Sequence, residues 1–288
     1  MAVSIAHLGP SGTYAEAAAL VYSNWLTQNF HQESLLCAYP SIAQTLHAVA
    51  LKQADLAIVP IENSIEGSVT TTLDTLWILD TLQIQRALVL PISHALMSHA
   101  NEITSIQTIY SHPQALAQCQ SWLEQHRPTA QLIPTNSTTE ALQQLEADRQ
   151  AGAISSQRAA LLYKVPILAH PINDHPDNCT RFWVLGLHSS LGGNHTSLAF
   201  SVYDAPGALV KPLDIFAQKG INLSRIESRP TKRSLGDYLF FIDLEADARQ
   251  DTVQSALAEL RHHTDTLKVL GSYDILPKSV VDLANLWR

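Results

Sequence analysis

Four short polar runs in this chain each follow an apolar stretch: "GPSGTY" (9–14), "PIENSIEGSV" (60–69), "SHPQALAQC" (111–119) and "NCTRF" (178–182). Their side chains are mostly hydroxyls and amides. Gathered in one cleft, such neutral donors suit a small carboxylate compound with an oxygen to be polarised. The first run leads into a helix whose free N–H groups favour an anion; a strand–helix turn with a cap explains it equally well. Asn63 and Ser64 offer donors after an apolar run, and Gly67 permits a tight turn, yet turn chemistry plus a cap accounts for the same residues. Ser111 or His112 can cap a helix that Pro113 begins. Gln118 falls between the apolar positions Leu116, Cys119 and Leu123 of that helix, where an ordinary surface glutamine is the plain alternative. His7 and His112 are candidate general acids near neutral pH, two of 13 histidines.

The fourth run poses a question of direction. On a regular strand Thr180, Phe182 and Val184 face one side, and Arg181, Trp183 and Leu185 the other. The adjacent hydroxyl and guanidinium therefore do not serve one ligand directly.

The elements that must position these runs alternate. Residues 3–8, 55–61, 87–96, 107–111, 152–156 and 181–187 read as apolar strands, with helical stretches between them, such as 13–25, where Thr13 and Glu16 have capping-box spacing. This order predicts an α/β layer with mainly parallel pairing. Strand ends are where such folds bind ligands. A Gly-, Ser- and His-rich stretch, 188–196, reads as a linker. Beyond it, 197–275 reads β-α-β-β-α-β, a ferredoxin-like sandwich with an edge that can pair with a copy. A tail, 276–288, follows.

The 288 residues suffice for about two domains. At 46% hydrophobic and 15% charged the chain is no disordered polyelectrolyte, and a net charge of -8 argues against nucleic acid or an anionic membrane as partner. Cys37, Cys119 and Cys179 have no metal-ligand spacing, and the start, "MAVSIAHLGPSG", lacks signal-peptide features, so reduced thiols in a cytoplasmic protein are expected. His262 and His263 are adjacent on a helix and face apart, which makes them poor metal ligands. H-E-x-x-H, G-x-G-x-x-G, phosphate-loop lysine and G-x-S-x-G patterns are absent. From the residues alone, the reading ends at a small-anion site in a two-domain α/β protein.

In this order the four runs resemble the prephenate dehydratase motifs G-P-x-G-T, P-I-E-N-S-x-x-G-x-V, S-H-P-Q and T-R-F. Residues 207–246, with G-A-L and E-S-R-P, resemble that family's ACT regulatory domain. The resemblance implies a catalytic domain over 1–187, made of two α/β lobes around a cleft like periplasmic binding proteins, followed by the ACT unit. It leaves no room in front for the chorismate mutase bundle of bifunctional members. It implies conversion of prephenate to phenylpyruvate, carbon dioxide and water. Aromatisation drives the step, so no cofactor and no metal are expected. Carried over residue by residue, the catalytic set is Thr180, Asn63, Ser111 and Gln118, with Ser11, Thr13, Ser64, Phe182 and Arg181 binding substrate. Thr180 would hydrogen-bond the leaving hydroxyl; Arg181 would either brace Thr180 from behind or form a structural ion pair. Ala15 stands where many members have Ser, which moves any hydroxyl role there to Ser11 or Thr13. In the ACT unit the resemblance places L-phenylalanine between two copies, at Gly207, Ala208, Leu209, Asn222, Leu223 and Ser224. Glu227, Ser228, Arg229 and Pro230 would couple that site to the cleft. The implied assembly is a homodimer or dimer of dimers. Arogenate dehydratase is the nearest rival reading, and a non-catalytic small-molecule sensor a more distant one.

Overall fold

A computed structural model describes residues 2–203, 205–232 and 237–281. The chain opens with β1 (Val3–Leu8), α1 (Tyr14–Phe30), β2 (Ser34–Tyr39), α2 (Ile42–Ala50), β3 (Leu56–Asn63), β4 (Gly67–Ser68), α3 (Thr70–Ile78) and β5 (Gln83–Pro91). A second group follows: β6 (His94–Ser98), β7 (Thr108–Ser111), α4 (Pro113–Ala117), α5 (Gln120–His126), β8 (Gln131–Pro134), α6 (Glu140–Gln143), β9 (Ala151–Ser156), α7 (Gln157–Tyr163) and β10 (Ile167–Ala169). The chain then returns to the first group through β11 (Cys179–Gly186). The two groups are the two lobes. Their sheets run β2-β1-β3-β11-β5, with β4 beside β3, and β10-β6-β9-β7-β8.

Local chemistry sets the elements that frame the cleft. The Thr13 hydroxyl accepts the Glu16 N–H at 3.2 Å and starts α1. His31, in the left-handed region at φ 53°, ends it, with the Gln32 N–H returning to the Leu26 carbonyl. Pairing is mixed rather than mainly parallel. β1 lies parallel to β2 and β3, whereas β11 is antiparallel to both β3 and β5, because it re-enters from the second lobe. The stretch 87–96, which reads as one strand, is two. Pro91 ends β5, Ile92 and Ser93 cross between the lobes, and His94 begins β6 in the other sheet. The return from β10 to β11 is the second crossing. It runs beside the first: the Ile92 N–H donates to the Asn178 carbonyl, and Asn173 Nδ2 donates to the Ile92 carbonyl.

The C-terminal unit comprises β12 (His195–Ser201), α8 (Val210–Gln218), β13 (Leu223–Pro230), β14 (Tyr238–Leu244), α9 (Asp251–Leu260) and β15 (Thr266–Tyr273). Its antiparallel order, β13-β14-β12-β15, is that of a ferredoxin-like sandwich. The tail expected over 276–288 lies outside the described residues beyond 281. One face of the sheet carries Leu198, Phe200, Ile242 and Leu244 against α8 and α9. The other carries Ala199, Leu239, Phe241, Leu270 and Tyr273, which join one apolar core with Ala87, Trp183 and Leu185 of the first lobe. The regulatory-type sheet is thus packed face-on against the lobe that holds β11. Among the described residues no helix is long and apolar enough to cross a membrane.

Gly271 marks the tightest point of that packing. Its φ is +136°, and a Cβ there would lie 2.7 Å from the Ile84 carbonyl oxygen and 2.9 Å from the Ile84 nitrogen. Both obstacles are backbone, so the strands must separate to admit it. Gly271→Ala is expected to lower the unfolding free energy by about 1–3 kcal/mol, the usual cost of overpacking, plus a backbone term; urea denaturation checks this.

Candidate active site

The cleft is built where β3 ends and β11 begins, against the second lobe. Asn63 is the last residue of β3, and its side chain shapes the turn beyond the strand. Its Oδ1 accepts the N–H groups of Ile65 and Glu66, both at 3.0 Å, which bends the chain sharply there. Its Nδ2 donates to Asn178 Oδ1 at 2.9 Å, Thr180 Oγ1 at 3.0 Å and the Cys179 carbonyl at 3.2 Å. Thr180 stands directly opposite Asn63 in the ladder, which is why the hydroxyl and amide meet. Thr180 therefore accepts with its oxygen, and no described residue accepts its own proton. Dipoles aligned in this way reinforce one another in a low-dielectric site.

Gln118 reaches the same place by a break in its helix. The expected continuous helix is two short ones: α4 stops at Ala117, and α5 starts at Gln120. The Asp174 carboxylate caps the new start by accepting the Ser121 and Trp122 N–H groups at 2.9 and 3.0 Å. Left at the junction, Gln118 is buried rather than on the surface, only 4% exposed. Its Oε1 accepts Asn178 Nδ2 at 2.9 Å and lies 3.1 Å from His94 Nε2, and its Nε2 donates to Glu66 Oε1 at 3.3 Å. An amide oxygen only accepts, so the His94 proton sits on Nε2. Tyr14 OH lies 3.2 Å from His94 Nδ1 and donates to the Ser93 carbonyl at 2.7 Å. A single chain of buried polar groups thus runs Thr180–Asn63–Asn178–Gln118–His94–Tyr14 and ties the lobes together. It is neutral: burial lowers the His94 pKa, and burial foremost raises that of Tyr14. Asn178, His94 and Tyr14 are the members that sequence reasoning missed. Asn178 was within reach of it, since it sits two residues before Thr180.

The remaining candidates divide. Ser111 is fully buried and donates its proton to the Ile154 carbonyl at 2.7 Å, tying β7 to β9 outside the chain just described. Ser64 is exposed at the mouth, accepting the Cys179 N–H at 3.0 Å. Ser11 is exposed. The Thr13 hydroxyl is spent as a helix cap, donating to the Leu8 carbonyl at 3.1 Å as well. The anion seat expected after Gly12 is filled by the protein: Glu16 Oε2 accepts the Gly12 N–H at 2.7 Å and pairs with Arg158 Nε at 3.0 Å. Burial works against this carboxylate, but Arg158 and the Gly12 amide outweigh it and hold its pKa below the usual range. Phe182, a substrate-binding candidate, is instead buried in the core beneath α1. His7 is buried with Nδ1 beside the Leu8 carbonyl at 3.1 Å, and His112 caps α4 by accepting the Gln114 N–H at 3.2 Å.

Arg181 also leaves the substrate-binding set. Strand alternation turns it to the far side of β11, where it pairs with Glu62 and, at 3.3 Å, with Asp243 of β14. Burial opposes its charge, yet Asp243, Tyr273 and Glu62 together raise its pKa.

In the C-terminal unit, Gly207 turns at φ +80° just before α8, Ala208 donates its N–H to the Ala205 carbonyl, and Leu209 immediately precedes α8 without a side-chain cap bond. Asn222 Nδ2 donates to Glu245 Oε2 at 2.8 Å, while Ser224 Oγ lies 3.4 Å from the Asp243 carbonyl. Leu223 is half-buried at the start of β13. The run 227–230 splits by alternation. Ser228 and Pro230 are exposed. Glu227 accepts the Ser68 hydroxyl at 3.0 Å, and Arg229 forks onto both Asp74 oxygens at 3.1 Å, so these two face the first lobe. Among the described residues no group of three or more His, Cys, Asp or Glu is placed to hold a metal ion.

Comparison with known proteins places this arrangement. The prephenate dehydratase family model matches residues 5–190, and the ACT domain model residues 196–262. The chain is 41% identical over 281 residues to the bifunctional chorismate mutase/prephenate dehydratase of Aquifex aeolicus (strain VF5), covering 97% of this chain and 75% of that protein. It is 36% identical over 277 residues to the prephenate dehydratase of Mycobacterium sp. (strain JLS), covering 93% and 88%. Among solved structures, prephenate dehydratase from Arthrobacter aurescens in complex with L-Phe matches with a TM-score of 0.85 at 34% identity, covering 99% of this chain and 98% of that one.

The buried imidazole has a consequence for stability. The unfolded chain takes up a proton at His94 near its ordinary pKa of 6.5, whereas the folded chain, with the lowered pKa, does not. Stability from this group is thus complete above pH 6.5 and declines as pH falls below it, by up to about 1.4 kcal/mol per pH unit. Glu16 adds a loss only below its ordinary value of 4.5. His94→Asn is expected to flatten the stability–pH curve between about pH 6.5 and 4.5, without abolishing its slope, because His112 and His170 are shifted the same way. Denaturant midpoints across that range measure it.

Proposed function

Because this chain belongs to the prephenate dehydratase family, we propose that its cleft converts prephenate to phenylpyruvate, with Thr180 as donor to the departing hydroxyl. The observation that carries this is the Asn63 amide on the Thr180 oxygen, at 3.0 Å, with the hydroxyl proton uncommitted. In the reaction the ring C–O bond breaks and the hydroxyl leaves as water, taking up one proton. The bond to the ring carboxylate breaks as well, its electron pair enters the ring, and carbon dioxide departs. A threonine hydroxyl is too weak an acid to surrender its proton outright. It polarises the leaving oxygen, and the proton consumed comes ultimately from solvent.

The neutral surroundings fit this chemistry. A cation set against the departing carboxylate would stabilise the ground state and slow its loss. Asn63 acts on Thr180 rather than on substrate, since its oxygen and hydrogens are engaged. Gln118 keeps one amide hydrogen for substrate beyond the one aimed at Glu66. Ser111, its proton spent, acts through its lone pairs, and Ser64 and Ser11 meet the substrate.

We further propose that the C-terminal unit is an ACT regulatory domain that binds L-phenylalanine and inhibits the cleft. The ACT model match and the L-Phe complex of the Arthrobacter protein support this. Gly207, Ala208, Leu209, Asn222, Leu223 and Ser224 would line the effector site, in a cytoplasmic homodimer or dimer of dimers. Domain boundaries at 187 and 197 fit this division.

The purified protein is expected to form phenylpyruvate from prephenate without added metal or nucleotide, and more efficiently than phenylalanine from arogenate, compared as kcat/KM. Thr180→Val should lower kcat by about 10²–10³-fold, as for loss of one oxyanion-type donor, while Thr180→Ser keeps appreciable activity. A near-normal kcat in the valine variant would remove Thr180 from its role. Saturating L-phenylalanine should depress turnover, and an unchanged rate counts against the regulatory assignment.

A further inference from the structure

The rung that joins Thr180 to Asn63 has a reverse side. In the β11–β3 ladder Arg181 stands opposite Glu62, one position along from the Thr180–Asn63 pair. Neighbouring ladder positions point to opposite faces. The front of these two rungs is therefore a hydroxyl with an amide, and the back a guanidinium with a carboxylate. The register shifts immediately afterwards, between Arg181 and Phe182. A bulge of this kind bends its strand and redirects the side chains beside it, so the aim of Thr180 depends on how the back of the strand is held.

Arg181 is held from outside the catalytic lobes. Its Nη1 lies 3.3 Å from Oδ2 of Asp243, a residue of the C-terminal unit that is 0% exposed. Asp243 Oδ1 accepts the Ser197 hydroxyl at 2.6 Å, and Oδ2 lies 3.5 Å from Arg225 Nη1. Tyr273 OH closes the cluster, 2.8 Å from Ser197 Oγ and 3.2 Å from Trp183 Nε1. Oδ2 attracts two guanidiniums but has a well-aligned hydrogen bond from neither. Oδ1 is anchored by the Ser197 hydroxyl, while Oδ2, gripped by charge and not by a directed bond, follows its guanidinium partners through small displacements. Of the other links across this interface, Ser68 to Glu227 reaches the rung from its edge, because Ser68 of β4 pairs with Glu62, whereas Asp80 to Lys268 attaches the loop after α3 and does not touch it.

We propose that Asp243 is a positioning residue of the active site: through Arg181 and Glu62 it fixes the β11–β3 rung on which Thr180 receives the Asn63 amide. The regulatory sheet thereby completes the catalytic geometry from behind, and a displacement of β14 is transmitted to Thr180. What Thr180 does to substrate rests on the dehydratase reading; the mechanical claim does not.

Three variants of the full chain test it. Asp243→Asn keeps the size and removes the charge. Arg181→Lys keeps the charge but loses the planar fork that spans both carboxylates. Asp80→Asn alters a link that bypasses the rung, the one to Lys268. Expected for Asp243→Asn are a kcat lower by about tenfold or more and a KM within about twofold of wild type, with faster amide exchange in the 178–182 peptide but not in β1. Arg181→Lys should shift the same two readouts in the same direction, and Asp80→Asn neither. A loss of packing alone would lower the unfolding midpoint without this split between kcat and KM. The proposal is overturned if Asp243→Asn and Arg181→Lys, both folded, keep kcat within about twofold of wild type, even with faster exchange. If Asp243→Asn does not fold, Arg181→Lys decides by the same criterion. If wild type makes no phenylpyruvate, the dehydratase reading falls, and the exchange arm alone decides: unchanged protection at 178–182 overturns the proposal.

Discussion

The site depends on the direction of one hydrogen bond. Asn63 donates to the Thr180 oxygen, which leaves the threonine proton free to be offered to substrate. Had the partner been a carbonyl or carboxylate, the hydroxyl proton would have turned inward and the group would face substrate as an acceptor. Asn63 cannot rotate to reverse this. Its oxygen is fixed by two backbone N–H groups of the loop it precedes. The turn after β3 and the polarity of Thr180 are consequences of the same amide.

That polarity propagates across the molecule. Asn178 accepts from Asn63 with its oxygen and donates to Gln118 with its nitrogen, so the orientation of one amide sets that of the next in the other lobe. A buried donor or acceptor left without a partner costs about 1–3 kcal/mol, more than a net hydrogen bond contributes. A flipped amide anywhere along the chain would incur that cost at both neighbours. Charge stands at the margins, in the exposed Glu66 carboxylate that takes the Gln118 amide, in the Glu16–Arg158 clamp between the lobes and in the Arg181–Asp243 cluster behind β11. The segregation keeps the guanidinium cations away from the carboxylate to be lost while using them where rigidity matters.

Period-two alternation was enough to put Thr180 and Arg181 on opposite faces of their strand, and the strands at 3–8 and 107–111 and the C-terminal β-α-β-β-α-β order are close to their apolar runs. Other features were beyond pattern reading. The run 87–96 is uniformly apolar, so nothing in its periodicity marks the point at which Pro91 sends the chain to another sheet. The break at Gln118 is made by Asp174, more than fifty residues away in sequence. Glu16 has the spacing of a cap, and its partner Arg158 comes from the other lobe. Local sequence reports what a residue can donate or accept, and long-range folding decides to whom. For the same reason the E-S-R-P run looked like one unit although its side chains alternate between solvent and the domain interface.

Among the described residues the chain passes between the two lobes twice, at Ile92–Ser93 and in the return ending at Asn178, and the passages are laced to each other by backbone and Asn173 bonds. Paired straps of this kind act like a door hinge: they permit swinging about their common line and resist sliding or twisting. Asn178 is part of the hinge pin and also the amide that links Asn63 to Gln118. Swinging the lobes apart must strain the bonds that orient the reacting groups, so admission of a molecule and readiness to act on it are successive positions of one movement.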